Sequence, residues 1–80
     1  MSLTMYGTPT CVDCLRSKRF LESHNVAYDF INIASEPDAA AKVQDLNNGL
    51  RIVPTIVFDD GSILTEPSDA ELAEKLGISL

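Results

Sequence analysis

The 80-residue sequence carries a formal charge of −6, with 45% hydrophobic residues, 22% charged residues and no tryptophan. That length suits one domain around one small core, and the acidity argues against nucleic acid as a partner. No apolar run approaches the length of a membrane span, and Met1-Ser2-Leu3 leads directly into a strand pattern without the features of a secretory signal. The expected setting is the cytoplasm, and the expected protein is a monomer that binds neither nucleic acid nor membrane.

Ser2-Leu3-Thr4-Met5-Tyr6 alternates as a short strand does, and Gly7-Thr8-Pro9 breaks it. Thr10 reads as a helix N-cap with Cys11 as the first helical residue. The helix runs from about Val12 to His24, with Cys14, Ser17 and Leu21 on one stripe, Phe20 beside it, and Asn25 as its stop. Val26 to Ile33 is rich in β-branched and aromatic residues and predicts a second strand. Ser35-Glu36-Pro37-Asp38 opens a second helix, with proline in the tolerant first turn, and Asn47-Asn48-Gly49 ends it. Thr55 to Phe58 predicts a third strand, Asp59-Asp60-Gly61 a hairpin turn of the Asp-Gly kind, and Ser62 to Leu64 a fourth strand. Ser68-Asp69-Ala70-Glu71 opens a last helix that ends at Gly77. All three helices show Ser or Thr followed three residues on by an acid, at Thr10/Asp13, Ser35/Asp38 and Ser68/Glu71, which predicts three capping boxes. The order is β-α-β-α-β-β-α, an α/β chain whose first β-α-β unit forms a parallel pair through a right-handed crossover and whose closing hairpin adds antiparallel strands.

The chemistry concentrates at Thr10-Cys11-Val12-Asp13-Cys14, which holds the only two cysteines. A disulfide between them closes so short a loop that it adds little as a staple, since entropic stabilisation grows with loop length. Such a pair suits a disulfide that opens and closes, or half of a metal site. At the start of a helix, unpaired N–H groups and the positive end of the helix dipole favour an anion, and the thiolate is the nucleophile in disulfide exchange. Cys11 therefore reads as the attacking thiol and Cys14, one turn deeper, as the resolving one. Charge is unevenly spread: residues 1–25 hold Arg16, Lys18 and Arg19 against Asp13 and Glu22, a net of +1, while residues 26–80 set Lys42, Arg51 and Lys75 against ten carboxylates, a net of −7. The basic cluster just beyond the cysteines is either a solvated helix face or a device that holds a thiolate or steers an anionic substrate.

Tyr6 to Cys14 (YGTPTCVDC), Ile52-Val53-Pro54-Thr55 and Asp60 to Asp69 (DGSILTEPSD) together resemble the glutaredoxins, minimal members of the thioredoxin superfamily, over nearly the full length. Within them the chain is most similar to actinobacterial mycoredoxin-like glutaredoxins, which share the Val-Pro-Thr stretch, an Asp-Gly-Ser hairpin and a following Leu-Thr-x-Pro-Ser. The resemblance implies the minimal thioredoxin fold, a four-stranded mixed sheet with three helices, over residues 1–80 as one domain. It implies a cis Val53–Pro54 bond facing Cys11, with Val53 offering its backbone to an extended substrate, and a substrate site formed by Thr8, Ile52, Val53 and Pro54. It also implies that Ser68 and Asp69, at the start of the last helix, receive a substrate carboxylate; read from the residues alone, Ser68 with Glu71 is simply a capping box.

The implied activity is thiol-disulfide exchange on mixed disulfides of a low-molecular-weight thiol, mycothiol or glutathione, and on disulfide-containing proteins. The thiol serves as electron donor and no cofactor is bound. Three departures point away from glutathione itself: Val12-Asp13 stands where Pro-Tyr is common, Thr8 where lysine is frequent, and Leu64-Thr65-Glu66-Pro67 where Gly-Gly is usual. A rival within the same chemistry is the NrdH type of redoxin, which serves ribonucleotide reductase and is reduced by thioredoxin reductase. Cys11-Val12-Asp13-Cys14 fits its Cys-Val-x-Cys start, but its tryptophan-containing stretch near the end is missing here. A zinc module needs four ligands, and one chain offers only Cys11, Cys14 and His24; a site shared between two chains would be required. A non-catalytic adaptor on the same fold is disfavoured by the intact cysteine pair.

Overall fold

The computed structural model describes residues 3–80, so the part of the first strand expectation that falls on Ser2 lies outside the described residues. Strands β1 (Leu3–Gly7), β2 (Asp29–Asn32), β3 (Thr55–Phe58) and β4 (Ile63–Thr65) alternate with helices α1 (Val12–Ser23), α2 (Pro37–Leu46) and α3 (Asp69–Leu76) in the expected β-α-β-α-β-β-α order. They form one four-stranded sheet in the order β2-β1-β3-β4. β1 pairs with β2 in parallel, Tyr6 opposite Ile31, and with β3 antiparallel, Tyr6 opposite Thr55; β3 and β4 form the closing hairpin. Among the described residues no helix is long and apolar enough to cross a membrane.

The pleat of the two central strands divides the core. Leu3 and Met5 of β1 and Ile56 and Phe58 of β3 face one side, where Phe20 and Leu21 of α1 and Leu72 and Ala73 of α3 cover them. Tyr6 points to the other side and meets Ile33 with Ala40 and Val43 of α2. The α1 stripe expected at Cys14, Ser17 and Leu21 is indeed its buried face, with Phe20 alongside.

Several local expectations are corrected. Cys11, not Thr10, is the N-cap of α1: its backbone is extended (φ −78°, ψ 123°) and its own sulfur accepts from the Cys14 amide, so the helix starts at Val12. α2 is capped by Glu36 with no side-chain hydrogen bond, and only Ser68/Glu71 forms a reciprocal capping box. Ser35 turns back instead, its hydroxyl donating to the Asn32 carbonyl. β2 is shorter than expected because Asn25 and Val26 are taken up in the capping motif that follows α1. The Val26 amide donates to Leu21 and that of Asn25 to Glu22, and Asn25 sits at φ 56°, the left-handed closure of a Schellman motif. The hairpin turn is a three-residue loop: the Gly61 amide donates to Phe58 and the Phe58 amide to Ser62. Gly61 takes the left-handed position at φ 87° and β4 begins one residue later than expected, at Ile63. Asp60 braces this loop, accepting from the Ser62 amide and hydroxyl and pairing with Lys75 of α3 at 2.8 Å.

Candidate active site

Where β1 ends, Thr8 to Thr10 carry the chain over the sheet edge and deliver Cys11 to the head of α1. The Cys11 amide donates to the Thr8 carbonyl at 3.4 Å, which fixes the loop. Its sulfur receives the Cys14 amide at 3.3 Å and approaches the Val53 carbonyl at 3.9 Å. Cys11 is half-buried and Cys14 wholly buried, and both are free thiols. A cap residue whose acceptor atom is its own sulfur places that sulfur where unpaired amide hydrogens converge.

Cys14 lies in different surroundings. Burial pushes its thiol from 9.0 up to about 12; the Cys11 hydrogen bond and the Cys11 and Asp13 charges add to the rise, while a hydrogen bond from the Thr8 backbone works against it. The two sulfurs are thus one accessible and amide-capped, the other buried and held protonated. Asp13 turns toward Arg16, with the guanidinium 3.2 Å away.

The Val53–Pro54 bond is cis, as the resemblance implied, and Pro54 is fully buried. A polar network fixes this turn from behind. The Thr55 hydroxyl donates to the Ile52 carbonyl at 2.7 Å, and the buried Asn47 amide donates to that hydroxyl at 3.1 Å and to the Val43 carbonyl at 2.8 Å. Asn47 therefore does more than end α2, and nothing in its spacing announces the link to Thr55. From the other side the Glu66 amide donates to the Pro54 carbonyl, with Glu66 at φ 47°. Arg16 then donates to the Pro67 carbonyl at 3.4 Å. The contacts Cys11–Val53, Pro54–Glu66 and Pro67–Arg16 join three loops into a ring around the sulfur.

Val53 and Pro54 belong to this ring; Thr8 holds the Cys11 amide through its carbonyl, and Ile52 accepts from the Thr55 hydroxyl beside the proline turn. Ser68 and Asp69 directly follow Pro67 of the ring, but Ser68 is engaged in the capping box: its hydroxyl accepts from the Glu71 amide at 3.1 Å and its amide donates to the Glu71 carboxylate at 2.9 Å. Asp69 lines a cleft of about 510 Å³ between α1 and α3, with Arg16, Arg19, Phe20, Ser23, His24 and Leu80, on the flank of α1. Of the basic cluster, Arg16 is held by Asp13 and Pro67, and Lys18 lies 4.4 Å over the Phe30 ring. The His24 ring lies tilted against that of Phe20, centroids 4.5 Å apart, at the far end of α1. Among the described residues no group of three or more His, Cys, Asp or Glu side chains is placed to hold a metal.

The glutaredoxin family model matches residues 3–63, which include both cysteines and the cis proline turn. The chain belongs to the glutaredoxin family. It is 45% identical over 75 residues to a Mycobacterium tuberculosis protein whose name assigns it to the glutaredoxins, covering 94% of this chain and 89% of that one. It is 33% identical over 75 residues to mycoredoxin 1 of Corynebacterium glutamicum, covering 94% and 92%. A glutaredoxin-like NrdH protein of Lactococcus lactis is 36% identical over 58 residues, covering 72% and 78%. Among solved structures, the glutaredoxin of Methanosarcina mazei superposes with a TM-score of 0.79 at 27% identity, over 96% of this chain and 79% of that one. This glutaredoxin is accordingly a thiol-disulfide redox protein by family, and its half-buried Cys11 and fully buried Cys14 lie close together at the head of α1.

Proposed function

We propose that residues 1–80 act as one glutaredoxin-like domain, a cytoplasmic monomer that reduces mixed disulfides of a low-molecular-weight thiol, mycothiol or glutathione, and disulfides in proteins. The observation that carries this reading is the asymmetry of the pair: Cys11 offers an amide-capped, accessible sulfur while Cys14 is fully buried. Cys11 attacks the substrate disulfide as a thiolate and forms a mixed disulfide, and one substrate sulfur leaves with the electron pair. Discharge follows by either of two routes. In one, a second small thiol attacks the mixed disulfide and restores Cys11. In the other, Cys14 attacks Cys11, a Cys11–Cys14 disulfide forms and the substrate leaves as a thiol.

Thr8, Ile52, Val53 and Pro54 line the approach to Cys11, with the Val53 backbone pairing an extended substrate and Ser68 and Asp69 receiving its carboxylate at the start of α3. Mycothiol is favoured over glutathione by the similarity to mycoredoxin 1 across 94% of the chain. The second reading, an NrdH-type electron donor reduced by thioredoxin reductase, draws support from the Lactococcus relative and from the Cys-Val-x-Cys start.

A donor test separates the two. The oxidised protein is given NADPH with thioredoxin reductase alone, or with mycothiol or glutathione and the matching reductase. Turnover of a small-thiol mixed disulfide that survives Cys14→Ser is the expected result. Turnover only with thioredoxin reductase, abolished by Cys14→Ser, would replace the first reading with the second.

A further inference from the structure

Gly7, the last residue of β1, is fully covered by the structure around it. Glycine inside a strand costs backbone entropy and has nothing to pack, so it marks either an unusual backbone or a close approach. Gly49, Gly61 and Gly77 take left-handed φ and have open space where a Cβ would stand. Gly7 is the opposite case. Its φ lies outside the left-handed region, but a Cβ there would meet the Cys14 sulfur at 2.6 Å, the edge of the Phe30 ring at 3.2 Å and the Cys14 Cβ at 3.4 Å. The missing side chain of Gly7 is the space that the Cys14 sulfur occupies.

We propose that Gly7 is a positioning residue for the resolving step: the space at its Cα seats the Cys14 sulfur and so determines whether a mixed disulfide at Cys11 is discharged from within the molecule. This rests on the reading of Cys11 as nucleophile and Cys14 as resolving thiol. In that step the Cys14 thiol gives its proton to solvent and its sulfur attacks the Cys11 sulfur. The bond from Cys11 to the substrate sulfur breaks as the Cys11–Cys14 bond forms, and the departing sulfur keeps the electron pair and takes up a proton. The two protein sulfurs are oxidised to a disulfide and the substrate is reduced to a thiol, with no further reactant.

Any Cβ at residue 7 must push the Cys14 sulfur several tenths of an ångström out of the position it holds beside Cys11. The contacts that hold the Cys11 amide and sulfur, to the Thr8 carbonyl, the Cys14 amide and the Val53 carbonyl, are made by groups other than Gly7. Misplacement of a reacting atom by about 1 Å costs on the order of 10²-fold in rate, so Gly7→Ala should slow closure roughly ten- to a hundredfold and leave attack by Cys11 within about twofold.

The experiment mixes the reduced protein with oxidised glutathione, quenches with acid over time, and counts the Cys11 adduct and the internal disulfide by intact mass. The wild type should pass to the internal disulfide with little adduct, whereas Gly7→Ala should accumulate adduct. Formation of the adduct should be equally fast in Cys14→Ala and in Gly7→Ala/Cys14→Ala. The double variant should also melt with Cys14→Ala, because the sulfur that fills the space is gone; this comparison holds even if Gly7→Ala alone folds poorly. Closure at the wild-type rate in Gly7→Ala, or a double variant that melts well below Cys14→Ala, would overturn the proposal. Absence of any adduct in Cys14→Ala would instead overturn the reading of Cys11 on which it rests.

Discussion

Three residues show how burial decides what a side chain contributes. Ser17 lies on the α1 stripe directly after Cys14, is fully buried, and its hydroxyl has no hydrogen-bond partner among the described residues. Removing an unsatisfied hydroxyl from a helix interior lifts its desolvation cost and adds helix propensity, so Ser17→Ala should stabilise the fold by about 1 kcal/mol. Urea unfolding measures this, and a loss of stability would mean that the hydroxyl is satisfied in solution. Burial also sets the behaviour in base. It pushes the Cys14 thiol from 9.0 to about 12, with the Cys11 hydrogen bond adding to the rise, and the Tyr28 phenol from 10.0 to about 12, with the Glu22 carboxylate adding there. Both native pKa values stand above the unfolded ones, so from about pH 9 upward the unfolded chain has lost protons that the native protein keeps. This stabilisation is complete below the unfolded values and declines as pH rises toward 12. The melting temperature of the wild type should therefore fall more steeply across that window than that of Cys14→Ala/Tyr28→Phe; parallel curves would show that neither group is perturbed.

At the level of the element, α1 is capped by the residue proposed as the nucleophile. Serine is among the preferred N-caps and alanine is poor. Cys11→Ser and Cys11→Ala should thus both lose turnover, while differing in stability by roughly 0.5–2 kcal/mol in favour of serine. Matched denaturation curves would show that the sulfur contributes nothing to the cap. This element also shows where reading the chain stops short. Thr10 and Asp13 carry the spacing of a capping box, but cysteine is not among the usual caps, so the pattern points one residue too early. Ser35/Asp38 fails for a different reason: the Ser35 hydroxyl is committed to the turn after β2. Only Ser68/Glu71, with no rival partner nearby, forms as its spacing announces. Gly7 reads as a strand breaker, yet the reason for it is a sulfur seven residues later in the sequence, which spacing alone does not reveal.

For the molecule as a whole, the order of elements was legible because hydrophobic periodicity and the Gly, Pro and Asn breakers act locally. The position of the cysteine pair at a strand-to-helix turn was legible for the same reason. The ring that joins Cys11, Val53, Pro54, Glu66, Pro67 and Arg16 was not, since it is made of contacts to backbone carbonyls of segments distant in sequence. Nor was the buried link from Asn47 to Thr55, which braces the proline turn from the α2 side of the sheet. The two faces of that sheet are unequally supported. Among the described residues, eight buried ones form the cluster under α1 and α3, against four in the cluster under α2. Parts of a fold that bury less apolar surface detach at lower free energy than the remainder. In native-state hydrogen exchange the amides of α2 should therefore exchange ahead of those of β1 and β3, through a partial opening that leaves the other face assembled. Exchange of all three with one common opening energy would show a single cooperative unit. Because Asn47 closes α2 and also braces the turn at Val53–Pro54, this partial opening would release the loop that faces the Cys11 sulfur while Cys11 stays capped on α1.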